Sequence, residues 1–203
     1  MAGLTALVVL SLSLSLGPAS GSAGRPSHTA LVADATVAAS LPGEPIGPEG
    51  LGIAAAIRRL DAVDLSGRRW TVADLRGRVV LLDFWATWCA PCLADLPHLQ
   101  ALRARHARDR FEILGVSLDV TSRRAFVSWL NRHRIQWPQV HERSGYAGGV
   151  PRQFGIHRLP RTIVISADGV PVALDVRGEQ LVALIDDLVA RGGRSDVSGG
   201  AAR

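Results

Sequence analysis

Cys89 and Cys92 stand two residues apart in the segment Trp88-Cys89-Ala90-Pro91-Cys92, and they are the only cysteines among the 203 residues. A cysteine thiolate is a nucleophile, and a second thiol close by can attack the mixed disulfide that the first one forms. When such a pair opens a helix, unpaired backbone N–H groups favour the thiolate of the first cysteine. Pro91 suits the first helical turn, where its missing N–H would have no partner. The segment therefore predicts thiol–disulfide exchange.

A pair of cysteines at this spacing is also compatible with half of a zinc site or with two inert buried thiols. A structural zinc site takes four Cys or His ligands. The six histidines, at positions 28, 98, 106, 133, 141 and 157, show no ligand spacing to the cysteines or to one another. We therefore expect no metal site, and two cysteines also exclude a scaffold of several disulfides.

The sequence predicts a strand before the cysteines and a helix after them. Residues 79–85 form a nearly continuous apolar run after Gly77, which is typical of a strand buried on both faces. Leucines recur every three residues at positions 93, 96, 99 and 102, which predicts one face of a helix. Pro97 lies inside that helix, where we expect a kink.

Beyond this unit the chain continues to alternate between strand and helix patterns. The predicted strands are residues 69–72, 111–118 and 162–165, the last joined by an Ala-Asp-Gly turn to an antiparallel partner at 170–176. The predicted helices are residues 121–133 and a C-terminal helix with apolar positions 181, 184, 185, 188 and 189. Such alternation predicts an α/β fold with helices on both faces of a sheet.

The two ends of the chain differ in composition from this unit. Residues 4–16 are an uninterrupted run of apolar and small residues, short for a membrane span, and small residues follow from Ala19 to Ala23. We expect a signal peptide or a retained N-terminal anchor over 1–23, although no Lys or Arg precedes the run. The expected domains are then a Pro/Gly/Ala-rich linker (24–56), the folded domain (57–191) and a flexible tail (192–203).

The charge of the chain argues against a nucleic-acid partner. The formal net charge is +5, and all 23 basic residues are arginines. They are spread along the chain in pairs such as Arg58-Arg59 and Arg123-Arg124, with neither a basic run nor aromatic interleaving. With 47% hydrophobic and 20% charged residues, the composition is that of a soluble globular domain.

The segment from Leu82 to Cys92 (LDFWATWCAPC) resembles the active-site segment of thioredoxins, and more closely that of the bacterial TlpA/ResA-type thiol–disulfide oxidoreductases. The resemblance continues in the family's order through Asp95-Leu96-Pro97, LGVSLD at 114–119, Gln136-Trp137-Pro138 and RLPRT at 158–162. It extends over about residues 65–191. It implies a thioredoxin fold, with a central mixed β-sheet, helices on both faces and an N-terminal β extension.

The resemblance also implies roles for three positions. Cys89 would be the attacking thiolate, and Cys92 the buried resolving thiol. Pro160 matches the family's cis-proline, with an ordinary trans proline as the alternative. A cis bond there would bring the backbone of Leu159 and Arg161 beside the cysteines, where it would offer hydrogen bonds to an extended substrate.

Four further side chains belong to the expected site. Asp83 stands where thioredoxins carry a buried acid, so burial should raise its pKa and make it a proton acceptor for Cys92 through water. A purely structural hydrogen bond is the alternative for Asp83. Trp88 and Pro91 would line the substrate-docking surface, with simple packing as the alternative for Trp88. Arg161 replaces a small polar residue, and would stabilise the Cys89 thiolate, select acidic partners or be solvated.

The implied function is that of an exported protein disulfide oxidoreductase, in the periplasm or on the outer face of the cytoplasmic membrane. The uncharged pair Ala90-Pro91 favours a reductant. Its substrates would be exported cysteine-containing proteins, cytochrome c apoproteins among them, and its electrons would come from a membrane-bound thiol donor. We expect a monomer and no cofactor beyond the redox-active Cys89–Cys92 disulfide.

Two other functions remain open at this point. Residues 114–119 also resemble peroxiredoxins, which share the fold, but a peroxidase would carry its cysteine in a Thr-x-x-Cys context without a second cysteine nearby. A non-catalytic binding module would keep Cys89–Cys92 as a static disulfide and use the fold for docking.

Overall fold

A computed structural model describes the backbone of residues 47–198 and the side chains of residues 48–192. The expected leader (1–23), most of the expected linker and residues 199–203 lie outside the described residues. The helices are α1 (Gly47–Arg58), α2 (Ala90–Arg105), α3 (Arg123–Arg132), α4 (Gly149–Gln153) and α5 (Gly178–Ser198). The strands are β1 (Asp61–Val63), β2 (Arg69–Thr71), β3 (Val79–Trp85), β4 (Phe111–Ser117), β5 (Gln139–His141), β6 (Arg161–Ile165) and β7 (Pro171–Leu174).

The central sheet has five strands in the order β5-β4-β3-β6-β7. β3, β4 and β5 run parallel, whereas β6 and β7 are antiparallel to their neighbours. Because parallel strands end at the same edge, the residues that follow β3, β4 and β5 meet at that edge. The segment Ala86–Cys89 follows β3 there. The mixed sheet of a thioredoxin fold is therefore confirmed, and β1 and β2 form the separate N-terminal two-stranded sheet.

Each face of the central sheet carries its own core. One core contains Leu82 and Phe84 of β3, packed with side chains of α1, α4 and the segment around Trp70. The other, which we call the cysteine face, contains both cysteines with Leu81 and Trp85 of β3 and apolar side chains of α2, α3 and α5. Alternate residues of β3 thus enter opposite cores, which explains why every residue of the strand except Asp83 is apolar.

Most of the expected elements are confirmed with small differences in length. The strand at 79–85 matches β3, while the helix expected at 121–133 is shorter at both ends as α3. The antiparallel pairing of the two last strands is confirmed. The short elements β1, β5 and α4 were not expected, because three to five residues are too few to display a period.

Two of the expected domain boundaries, the end of the linker and the start of the tail, were wrong. The linker prediction fails for residues 47–56, which belong to α1 and place Ile53, Ala56 and Ile57 in the core. The prolines and glycines in and before this stretch are typical of a linker, so the sequence does not predict a helix here. Packing of one face of α1 against the core stabilises it. The tail was expected to begin at residue 192, but α5 continues to Ser198. Within residues 47–198, no helix has the length and apolar character needed to span a bilayer.

Candidate active site

Cys89 and Cys92 form a disulfide at the N-terminus of α2, with an S–S distance of 2.05 Å and 5.2 Å between Cα atoms. Cys89 is the N-cap residue of the helix, and its Sγ accepts a hydrogen bond from the backbone N–H of Cys92 at 3.3 Å. Pro91 lies in the first turn, as expected. In the reduced protein the same N–H and the helix dipole would stabilise a thiolate on Cys89.

Burial does not distinguish the two cysteines, since each is 5% exposed. Their positions do, because Cys89 caps the helix whereas Cys92 lies inside its first turn. Trp88, next to Cys89, is 59% exposed and so is not core packing. The exposed indole beside the disulfide fits the expectation that Trp88 lines a docking surface.

The segment before Cys89 is tied to the end of β4 through Asp119. The Asp119 carboxylate accepts hydrogen bonds from the backbone N–H of Thr87 at 3.0 Å and from its Oγ1 at 2.5 Å. Ser117 Oγ donates to the same carboxylate at 2.7 Å. The sequence indicates Asp119 only as part of the motif at 114–119. Its contact with Thr87 arises because β3 and β4 end at the same edge of the sheet.

Asp83 lies on β3 in the cysteine face, buried at 6% exposure. Burial raises the pKa of Asp83, the negative charge of Asp95 raises it as well, and the positive charge of Arg177 lowers it, which together give a pKa of about 7. The expected rise in pKa is thus confirmed. Within the described residues, Asp83 has no hydrogen-bond partner, so the alternative of a structural hydrogen bond finds no support. A carboxyl with a pKa near 7 suits proton transfer at neutral pH.

Asp95 and Arg177 were not expected as site residues. Asp95 follows Cys92 by three residues on α2, and Arg177 directly precedes α5. Arg177 Nε lies 3.4 Å from Asp95 Oδ2. The i, i+3 spacing to Cys92 is a sequence signal for Asp95, whereas nothing in the sequence pattern indicates Arg177.

The Leu159–Pro160 peptide bond is cis, which confirms the expected isomer. Leu159 packs against both cores, including the one that contains Cys89 and Cys92. Arg161 begins β6, and its backbone is paired with Phe84 of β3. The structure thus brings the proline segment and the cysteines to the same core, while the hydrogen bonds to a substrate backbone remain a prediction.

Arg161 is not a solvated arginine. Its side chain is 9% exposed, with Nη1 donating to Asp175 at 2.6 Å and Nη2 donating to Glu49 of α1. Of the roles left open for Arg161, the solvated side chain is wrong, because two carboxylates from distant segments bind the guanidinium. Both terminal nitrogens are therefore engaged in holding α1 to the β6–β7 corner, not offered to an acidic partner.

Comparisons with known proteins agree with this geometry. A profile of the AhpC/TSA family matches residues 53–172. The thiol-disulfide oxidoreductase ResA of Bacillus thuringiensis subsp. konkukian is 26% identical over 128 residues, which cover 63% of this chain and 71% of the relative.

Solved structures show the same likeness. A thiol-disulfide oxidoreductase from Bacteroides fragilis has a TM-score of 0.57 and 29% identity, covering 64% of this chain and 96% of that one. The C-terminal domain of a thiol-disulfide oxidoreductase from Bacteroides thetaiotaomicron has a TM-score of 0.60, covers 68% of this chain and 99% of that one, and at 24% identity shows the fold alone. Together with the Cys89–Cys92 pair at the start of α2, these matches show that the chain belongs to the AhpC/TSA family and, within the thioredoxin fold, to the thiol–disulfide oxidoreductases.

Proposed function

We propose that the protein reduces disulfide bonds in exported cysteine-containing proteins through Cys89 and Cys92. The observation that carries this proposal is the disulfide at the N-cap of α2, on the same face as an acid whose pKa is about 7. A thiolate at Cys89 supplies the nucleophile, and the carboxylate of Asp83 supplies the base that the second half of the reaction needs.

The reaction proceeds in two exchanges. The Cys89 thiolate attacks a substrate disulfide, forms a mixed disulfide and releases one substrate thiolate. Cys92 then loses its proton to Asp83 and attacks Cys89 Sγ, so that the Cys89–Cys92 bond forms and the second substrate thiolate leaves. The substrate gains two electrons, the protein loses two, and an external thiol must reduce Cys89–Cys92 again.

The partners and the location are part of the same proposal. The substrates are exported proteins, with cytochrome c apoproteins as candidates, and a membrane-bound thiol is the electron donor. The chain acts outside the cytoplasm, in the periplasm or at the outer face of the membrane, as a monomer that needs no cofactor beyond its own disulfide. The match to ResA-type relatives and the apolar run at residues 4–16 support this setting.

A peroxidase is less compatible with the site. Ala86, not threonine, stands three residues before Cys89, and Cys92 is already bonded to Cys89. A static binding module would leave the pair inert. The exposed Trp88 and the backbone N–H of Cys92, which donates to Cys89 Sγ, support a reactive pair instead.

The deciding experiment is the reduction potential of the full chain, equilibrated with dithiothreitol or glutathione buffers before its free thiols are trapped. A value near −250 mV or below, on the order of thioredoxin's, supports the reductant. A value near about −120 mV would make the protein an oxidant. Insulin reduction by the wild type and by Cys89→Ser is the companion assay. A pair that exchanges with neither buffer would establish the static module.

A further inference from the structure

Four residues form one row across the central sheet on the cysteine face. The register pairs Gln139 of β5 with Gly115 of β4, Gly115 with Asp83 of β3, and Asp83 with Thr162 of β6. Side chains of residues that are paired across a sheet point to the same face. The residues that follow them along the strands (Val140, Val116, Phe84 and Ile163) all lie in the opposite core, which confirms this alternation. We call these four residues the Asp83 row.

Glycine at position 115 leaves space beside Asp83, and the Gln139 amide fills it. A Cβ atom added to Gly115 would lie 2.4 Å from both Nε2 and Oε1 of Gln139. The Gln139 side chain therefore extends over β4 toward Asp83. Any side chain larger than hydrogen at position 115 would displace it.

The orientation of this amide is fixed by Trp85. Trp85 Nε1 donates to Gln139 Oε1 at 3.0 Å, and an indole N–H is a donor only. The oxygen of the amide must therefore face Trp85, which leaves Nε2 as a free donor. Gln139 is 3% exposed, and Nε2 has no hydrogen-bond partner within the described residues. A buried donor without a partner is costly because it has lost its hydrogen bonds to water, so nearly all such groups have a protein or water partner.

Asp83 presents the complementary group. Its carboxyl is buried and accepts no hydrogen bond from any described residue. The charged groups that act on it are Asp95 of α2 and Arg177, which precedes α5. Its neighbours in the row, Gly115 and Thr162, are uncharged.

The separation of the two groups suits one water molecule. Adjacent strands are about 4.8 Å apart, so an amide lying above Gly115 is roughly one strand spacing from the Asp83 side chain. A buried water takes part in two to four hydrogen bonds and bridges polar groups at such separations.

We propose that Gln139 Nε2 donates to a buried water molecule that in turn donates to the Asp83 carboxylate, which makes Gln139 a positioning residue for the proton acceptor. This inference rests on the proposed thiol exchange, in which Asp83 receives the Cys92 proton. Gln139 and its water stabilise the carboxylate until the proton arrives. Cys92 then attacks Cys89 Sγ in the mixed disulfide, and the electron pair of the broken bond leaves on the substrate thiolate.

The test is the pKa of Asp83 in the full-length oxidised protein, followed by carboxyl ¹³C NMR on aspartate-labelled samples. Gln139→Met keeps the volume but removes the donor, and Gly115→Ala displaces the amide with a methyl group. Because a donor to a carboxylate lowers the pKa of the acid, each variant should raise the pKa of Asp83 by about one unit. The pH profile of mixed-disulfide resolution should move to higher pH by the same amount.

The control is Val140→Ala, on the same strand but in the opposite core. It should lower stability and leave the pKa of Asp83 unchanged. A folded Gln139→Met protein in which the pKa of Asp83 is unchanged or lower would overturn the inference, and Gly115→Ala carries the test if Gln139→Met does not fold. The wild-type protein is also assayed for insulin reduction. A wild type that does not reduce insulin would contradict the proposed function, whereas the NMR measurement tests the role of Gln139 without any turnover.

Discussion

Asp83 carries a carboxyl group on the strand that leads to Cys89, and its surroundings decide what that group can do. Burial has the largest effect on the pKa of Asp83 and raises it by favouring the neutral acid. The negative charge of Asp95 also raises the pKa, and the positive charge of Arg177 lowers it. The resulting pKa of about 7 lies well above the value of 3.8 for a free aspartate. Such a group holds its proton in acid and releases it near neutral pH.

Replacing Asp83 with asparagine should stabilise the oxidised protein at pH 8. The pKa of Asp83 is higher in the folded protein than in the unfolded chain. Its contribution to the free energy of unfolding is therefore fully present below about pH 4 and is lost as the pH rises to about 7. The gain from Asp83→Asn should therefore be small near pH 4 and grow to at most about 4 kcal/mol above pH 7. Urea unfolding across this range measures it, with exposed Asp168→Asn as the control for loss of charge. A gain that does not vary with pH would contradict the assignment.

Replacing Arg177 with glutamine should shift proton transfer to higher pH. Arg177 lowers the pKa of Asp83 and pairs with Asp95, so its loss removes a nearby positive charge and leaves Asp95 uncompensated. We expect resolution of the mixed disulfide to reach its half-maximal rate at higher pH than in the wild type. Stopped-flow measurements as a function of pH test this. Arg158→Gln, an exposed arginine paired with Asp175, should leave the profile in place.

At the scale of elements, the active site depends on strands and helices that end at one edge of the sheet. Cys89 caps α2 directly after the segment that leaves β3. That segment is held by Asp119, which follows β4, through the backbone and side chain of Thr87. Neither strand alone positions the cysteine, because the hydrogen bonds join residues that are more than thirty positions apart.

Asp119→Ala should loosen the segment before Cys89. The substitution removes three hydrogen bonds to a buried carboxylate and leaves the Thr87 N–H without its acceptor. We expect a loss of about 2 kcal/mol or more in the free energy of unfolding and faster hydrogen exchange at Thr87 and Trp88. Thr87→Val keeps the backbone bond and should lose less. Unchanged exchange in Asp119→Ala would show that other contacts position the segment.

At the scale of the whole molecule, α1 belongs to the folded unit. Ile57 is 1% exposed within the core opposite the cysteine face, whereas Leu51 on the same helix is 63% exposed. Glu49 of α1 also binds the buried Arg161, which follows the cis-proline. The helix therefore supports the face of the sheet that lies behind the active site.

Ile57→Ala should destabilise the protein by about 2–5 kcal/mol, the usual cost of removing a large buried side chain. Leu51→Ala, on the exposed side of α1, should change stability by less than about 0.5 kcal/mol. Chemical denaturation of both variants measures the difference. Equal, small effects would mean that α1 does not contribute to the cooperative unit.

Local sequence pattern was sufficient to predict the redox pair and the elements on either side of it. Three signals are local, and each predicts the observed element: the spacing of Cys89 and Cys92, the nearly continuous apolar run of β3 and the leucines of α2. The cis bond before Pro160 and the raised pKa of Asp83 followed from a resemblance carried by contiguous motifs. Within the described residues, local spacing was thus sufficient to place the redox pair on its helix.

The packing of the whole domain determines which distant side chains meet in the active site and behind it. The contacts of Arg177 with Asp95, of Gln139 with Trp85, and of Arg161 with Glu49 join residues far apart in the chain. They depend on strand register and on which face of the sheet each helix covers. No periodicity in the sequence encodes these, because a long-range contact is selected by the packing of the whole domain and not by its neighbours in the chain.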